Sequence, residues 1–178
     1  MVQLKLKNGQ NLIIRTAKKE DALNLINYIN KIGGESDFLT FGDNEFDISI
    51  EKEEAILESY IDGENKIYLI AEIENKIVGS LNYSGGIRQR TKHTGEFGIS
   101  VAKKYWGLGI GKELIRYMID WAKKGNVVRK INLRVREDNE TAINLYTKLG
   151  FKKEGIISRD FHVGGKYYSS IFMGLEID

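Results

Sequence analysis

Three glycines alternate with two aliphatic residues in Gly107–Leu108–Gly109–Ile110–Gly111, and Lys112 and Glu113 follow at once. The run sits between a strand-like stretch, Glu96–Val101, and an amphipathic segment that reads as a helix to about Lys124. Glycines at this spacing let the backbone turn tightly and bring successive amide N–H groups against a ligand with no Cβ in the way. At the start of a helix those N–H groups lack intrahelical partners, and the macrodipole adds a partial positive charge. The stretch is therefore suited to a phosphate or pyrophosphate. Two familiar phosphate loops are excluded by spacing. A P-loop requires Ser or Thr after its lysine, where this chain has Glu113, and the dinucleotide fingerprint requires a third glycine where Lys112 stands.

The rest of the composition narrows the setting. With 178 residues the chain fits one domain, 1–178, with a sizeable core. It contains no Cys, which removes a cysteine acyl-enzyme and thiolate metal sites together. Two histidines, His93 and His162, are too few for a convincing zinc site, so no metal is expected. A net charge of +2 gives no general reason to expect nucleic acid or a membrane as partner. No apolar run is long enough to span a bilayer and Met1–Leu6 lacks the apolar region of a signal peptide, so a cytoplasmic location is expected.

Periodicity supplies the order of elements. Gln3–Lys7 and Asn11–Arg15 alternate around Asn8–Gly9 and read as a hairpin. Leu23, Ile26 and Ile29, with Leu25 and Ile32 beside them, mark a helix over Lys19–Ile32 that Gly33–Gly34 stops. Gly34–Ile48 reads as a loop, and Ser49 caps a second helix to about Asp62. Lys66–Ile73 and Lys76–Tyr83 form an antiparallel pair across a Glu74–Asn75 turn. After the basic connection Gly85–Thr94, the strand Gly95–Val101 sets Phe97, Ile99 and Val101 on one face and Glu96, Gly98 and Ser100 on the other. Ile110, Leu114, Met118 and Ala122 form one stripe of the helix that follows the glycines. A strand, Lys130–Arg136, leads to a helix capped by Asp138 or Asn139 and closed by Gly150, and strands Phe151–Ser158 and Tyr167–Ile177 complete the set. The order ββααβββαβαββ gives an α/β or α+β fold with a mixed, largely antiparallel sheet.

Trp106, Gly109 and Gly111 occupy the positions of the Arg/Gln-x-x-Gly-x-Gly/Ala loop, and the chain resembles the GNAT superfamily of N-acetyltransferases there, with Trp106 departing from the usual Arg or Gln. A second block resembles the family segment Asn-x-x-Ala-x-x-Leu-Tyr-x-x-x-Gly-Phe, here Asn139, Ala142, Leu145, Tyr146, Gly150 and Phe151. The resemblance covers nearly the whole chain. It implies a central sheet with helices on both faces and a splayed strand pair that admits acetyl-CoA. It further implies that Trp106–Lys112 (Trp106, Gly107, Leu108, Gly109, Ile110, Gly111 and Lys112) and the splayed strand at Ile99 and Val101 hold the acyl-CoA, that Asn139 meets its pantetheine arm, and that Tyr146 lies near the sulfur. A homodimer stays open under the same resemblance.

The implied chemistry is direct transfer of an acetyl group to a primary amine in a ternary complex. The amine must lose a proton before it attacks. Glu96 sits where several members of the family carry a catalytic carboxylate, and Tyr146 is placed to protonate the departing thiolate. Each has a plainer reading, Tyr146 as a core tyrosine and Glu96 as a solvated strand residue. Two further functions compete: a non-catalytic acyl-CoA-binding or sensor module, and a nucleic-acid binder using the basic stretch Arg88–His93. The acceptor itself is approached through charge. Glu35, Asp37, Asp43, Glu45, Asp47, Glu51, Glu53, Glu54 and Glu58 are opposed within their own stretch by Lys52 alone, which favours a cationic amine if this segment borders the acceptor.

Overall fold

The computed structural model describes residues 1–43, 45–61 and 63–178; the expected end of the second helix at Asp62 falls outside them. The strands are β1 (Val2–Lys5), β2 (Asn11–Thr16), β3 (Lys66–Ile73), β4 (Lys76–Gly85), β5 (Thr94–Val101), β6 (Lys130–Arg136), β7 (Lys152–Val163) and β8 (Lys166–Glu176). The helices are α1 (Ala22–Gly33), α2 (Ile50–Ile61), α3 (Ile110–Lys124) and α4 (Glu140–Lys148). One eight-stranded sheet runs in the order β1-β2-β3-β4-β5-β6-β8-β7. Every neighbouring pair is antiparallel except β5 and β6, which are parallel. The element order and the mixed sheet are those that periodicity predicts.

Helices cover both faces of the sheet, and strand alternation divides the core between them. On β3, Ile67, Leu69 and Ala71 join the cluster that includes Ile110, Leu114 and Met118 of α3. Tyr68 and Ile70 point the other way, into the cluster of Leu25, Tyr28, Ile29 and Ile32 of α1 and Leu57 of α2. A central strand covered on both faces is apolar at nearly every position, which is why β3 reads as a run and not as an alternation. The α3 stripe is buried as expected.

Two expectations need correction. Leu23, one of the residues whose spacing marks the helix, does not share its buried face and is 52% exposed. The buried stripe is Ala22, Leu25, Ile29 and Ile32, with Ile26 and Tyr28 flanking it, and position 23 falls outside that face of the helix. The seventh strand was expected to end at Ser158, yet β7 continues to Val163. Arg159 has φ 53°, and the β7–β8 register shifts between Ile157 and Phe161. Such a bulge breaks the alternation that marks a strand in sequence.

Arg15 of β2 ties three elements together. Its Nη1 and Nη2 donate to the two carboxylate oxygens of Asp21 at 2.7 and 2.8 Å, and Nε and Nη2 donate to Glu72 of β3 at 2.8 and 2.9 Å. The Asp21 carboxylate also accepts from the Lys18 N–H at 2.8 Å and so fixes the entrance to α1. Burial pushes the Asp21 carboxyl up, but the bonds from Arg15 and Lys18 outweigh it and hold the pKa below its ordinary value. A depressed carboxyl contributes stability above its unfolded pKa of about 4, and that contribution disappears as pH falls through the lower folded value. Asp21→Asn should therefore lose less stability than wild type between pH 7 and pH 3, measured by urea unfolding at each pH.

Candidate active site

The parallel pair β5–β6 stays together for only three residues, Thr94↔Lys130, Gly95↔Ile131 and Glu96↔Asn132. Beyond Glu96 the strands part, β5 remaining on β4 and β6 on β8. The β4 pairing reveals which peptide groups the gap receives. Ala102 donates its N–H to Val78 at 2.9 Å, so Ser100 and Gly98, two and four residues earlier, also direct their backbone groups at β4. Ile99 and Val101 then direct theirs into the gap. The Val101 carbonyl accepts from the Trp106 indole Nε1 at 2.6 Å. That is the use the chain makes of a tryptophan at this position: the indole turns back to its own strand.

The glycine run borders this gap. Gly107 and Gly109 have φ 77° and 87°, left-handed conformations that L side chains avoid, and Gly109 is the N-cap of α3. A Cβ added at either would meet no atom within 4 Å, so the space over both is open. Glu113 N–H to the Gly109 carbonyl, at 3.2 Å, begins the helical ladder, which leaves the N–H groups of Ile110, Gly111 and Lys112 without helical partners. Ile110 is buried in the core and Leu108 packs against it, so these two residues anchor the loop through their side chains. A Cβ on Gly111 would lie 3.8 Å from Ile99 and Val101 and 3.9 Å from Leu145, which locates Gly111 between the splayed strand and α4.

Helix α4 forms the far wall. Asn139 is its N-cap, with Oδ1 accepting from the Ala142 N–H at 3.2 Å; its Nδ2 has no partner among the described residues. Asp138, the other candidate cap, is engaged by Arg136 instead. Tyr146 is 8% exposed, and its ring lies 6.0 Å edge-on from both Phe97 and Phe151. The hydroxyl makes no hydrogen bond among the described residues. Burial pushes the phenol up to about 12, so it holds its proton throughout the neutral range.

Glu96 lies on the opposite face of β5 from Phe97. One of its oxygens accepts from Arg134 Nε at 2.8 Å, and Arg134 also reaches Asp160 at 3.6 Å. Further along that face a row of hydroxyls is linked, Tyr28 to Ser100 at 3.0 Å and Ser100 to Ser80 at 3.1 Å. Tyr146 and Glu96 are thus held on opposite faces of the splayed strand.

The α1–α2 connection straps the open end of the gap. The Glu35 carboxylate accepts from the Lys103 N–H at 2.7 Å, and the Asp37 carbonyl accepts from Arg136 Nη1 at 2.9 Å. Arg136, the last residue of β6, is 7% exposed, with the rings of Phe38 and Tyr168 at 4.4 and 4.2 Å from its guanidinium. Glu35, Asp37, Phe38, Lys103, Trp106 and Arg136 line a cavity of about 290 Å3 there. Sequence reasoning missed Arg136; its signal was its place at the end of a strand, just before the second motif. A second cleft, of about 280 Å3 near Asn65, Gly86 and Lys92, contains none of the expected site residues. His162 stacks on Tyr167 at 4.6 Å, on the β7–β8 hairpin.

Comparison with known proteins bears on this geometry. Residues 36–151 match the family model described as the acetyltransferase (GNAT) family. A GNAT-family acetyltransferase of Streptococcus pneumoniae has a crystal structure that superposes with a TM-score of 0.91 at 32% identity, over 94% of this chain and 99% of that one. An L-amino acid N-acetyltransferase of Escherichia coli is 33% identical over 105 residues, which span 59% of this chain and 65% of that relative. A phosphinothricin acetyltransferase of Sinorhizobium meliloti, solved in complex with acetyl-CoA, shares the fold with a TM-score of 0.79 at 19% identity, over 93% of this chain and 88% of that one.

Proposed function

Because the chain belongs to the GNAT family of acetyltransferases, we propose that it transfers an acetyl group from acetyl-CoA to a primary amine by direct attack in a ternary complex. The observation that carries this reading is the open space over Gly107 and Gly109 beside a strand whose Ile99 and Val101 peptide groups face an unfilled gap. In this reading the N–H groups of Gly107–Lys112 receive the pyrophosphate. The Ile99 and Val101 peptides pair with the pantetheine arm, joined by the spare Nδ2 of Asn139. The Val101 carbonyl already holds the Trp106 indole, so its share of that pairing depends on the indole moving or on a second, bifurcated bond.

The thioester carbonyl gains negative charge as the amine attacks. The N–H of Ile99 is placed to stabilise that charge. Tyr146, protonated at neutral pH as an ordinary phenol is, supplies a proton to the departing thiolate. Glu96 removes the proton of the amine through the oxygen that Arg134 leaves free. With no cysteine in the chain, the acetyl group has no thiol on which to rest between donor and acceptor.

Acetyl-CoA should raise the melting temperature. At 100 times its dissociation constant a ligand selective for the folded state adds about 2.7 kcal/mol. Desulfo-CoA should do the same, and Gly109→Asp should abolish both shifts by placing a side chain and a negative charge in the open space. A shift accompanied by no thiol release with any amine of a broad panel would leave acyl-CoA binding alone.

Tyr146→Phe should lower kcat by about 10²–10⁴-fold with little change in acetyl-CoA affinity. A change under about threefold would make Tyr146 a packing residue only. For Glu96→Gln, the loss should shrink as pH rises and more of the acceptor is already free amine; wild-type rates at every pH would exclude Glu96 as the base.

A further inference from the structure

Trp106 is held differently from its neighbours. Tyr105 and Leu108 pack against the core, whereas Trp106 is 49% exposed. The other tryptophan, Trp121, meets Tyr83 edge to face at 5.8 Å; among the described residues the Trp106 ring has no aromatic partner. An indole has one hydrogen-bond donor. Here that donor goes to the Val101 carbonyl, at 2.6 Å.

The backbone around the indole is fixed by other bonds. The Trp106 N–H donates to the Lys103 carbonyl at 3.2 Å and the Tyr105 N–H to the Ala102 carbonyl at 2.9 Å. The Lys103 N–H donates to the Glu35 carboxylate at 2.7 Å. Rotation of the Trp106 side chain alone therefore breaks its bond to Val101, with no change in the chain path. The ring also has room to turn, because with Gly34, Phe38 and Arg136 it lines the cavity of about 290 Å3.

The carbonyl that the indole caps is one that the acyl-CoA reading needs. On the gap side β5 offers two strand acceptors, the carbonyls of Ile99 and Val101. A pantetheine arm carries two amide N–H donors, and strand carbonyls are the acceptors for such donors in an extended pairing. A carbonyl turned away from every strand still requires a donor, and in the free protein the indole supplies it. When the arm enters, two donors meet at one oxygen. At 2.6 Å, shorter than the usual N–H···O distance of about 2.9 Å, the indole leaves an amide little room to approach the same atom.

We propose that the Trp106 indole is a built-in competitor of the cofactor: it caps the Val101 carbonyl in the free protein and swings off when the pantetheine arm binds. The inference rests on the acetyl-transfer reading above, in particular on the pairing of the arm with β5. It gives Trp106 a role opposite to that of a cofactor ligand. Acyl-CoA must displace one internal hydrogen bond to form its own, so the indole lowers affinity by the net worth of that bond.

The test compares CoA with adenosine 3′-phosphate 5′-diphosphate, the nucleotide end of CoA without its pantetheine arm, by titration calorimetry on wild type and Trp106→Phe. The variant keeps an aromatic ring and lacks the donor. It should bind CoA about twofold to tenfold more tightly than wild type, the net range for one hydrogen bond, and should bind the armless nucleotide with unchanged affinity. In wild type itself CoA should shift the tryptophan emission, and the armless nucleotide should not. A Trp106→Phe protein that binds CoA no more tightly than wild type overturns the proposal. So does a gain of the same size for both ligands, since the indole would then act at the phosphates. Emission of wild type unmoved by saturating CoA overturns it independently of the variant. A wild type that binds neither ligand would instead remove the acyl-CoA reading as a whole, which separates the two failures.

Discussion

The loss of pairing between β5 and β6 after Glu96↔Asn132 is the constraint on which the site depends. Inside a sheet, each peptide group that points at a neighbouring strand is satisfied by it. Where two strands diverge, that satisfaction stops and the peptide groups of Ile99 and Val101 face a gap. A parallel pair is suited to this, because its strands are joined by a helical crossover and not by a tight turn. Here α3 is the crossover, and its N-terminus opens at the wide end of the gap. Strand N–H groups and helix N–H groups are thereby brought together at the gap, while the Val101 carbonyl there holds the Trp106 indole.

The alternation of β5 divides the work between two faces. Phe97 belongs to the apolar cluster with Tyr146 and Phe151, and Ile99 and Val101 pack beside it near α3 and α4. Glu96, Gly98 and Ser100 look toward α1 and α2, where the buried groups include the hydroxyls of Tyr28 and Ser80. One face packs the Tyr146 ring against Phe97 and Phe151. The other carries the Glu96 carboxylate and the linked hydroxyls of Tyr28, Ser100 and Ser80. The strap from Glu35 to Phe38 links these sides by bonding Lys103 after β5 and Arg136 at the end of β6. Arg136 pays for its burial with a two-point contact to Asp138, at 2.7 and 3.1 Å, and with the faces of two rings.

Much of this was determined by the sequence alone. The apolar stripe Ile110–Leu114–Met118–Ala122, the turn Glu74–Asn75 and the alternation of Phe97, Ile99 and Val101 are local patterns, and local patterns survive in a linear reading because neighbouring residues fix them. The glycine spacing at Gly107–Gly111 and the block Asn139–Phe151 likewise carry the resemblance to the family. Only the tertiary structure decided the partners. Glu96 acquired Arg134 from a strand 38 residues away, and Glu54 and Glu58 acquired Lys19. In the sequence Glu53 is one carboxylate among several in a first helical turn, although its spacing of four from Leu57 puts it on the same buried stripe. Charge and exposure are properties of what surrounds a group, and that environment is assembled from strands far apart in the chain. Residue identity tells which chemistry is available; the fold decides which of those groups are paired, buried and brought to the gap.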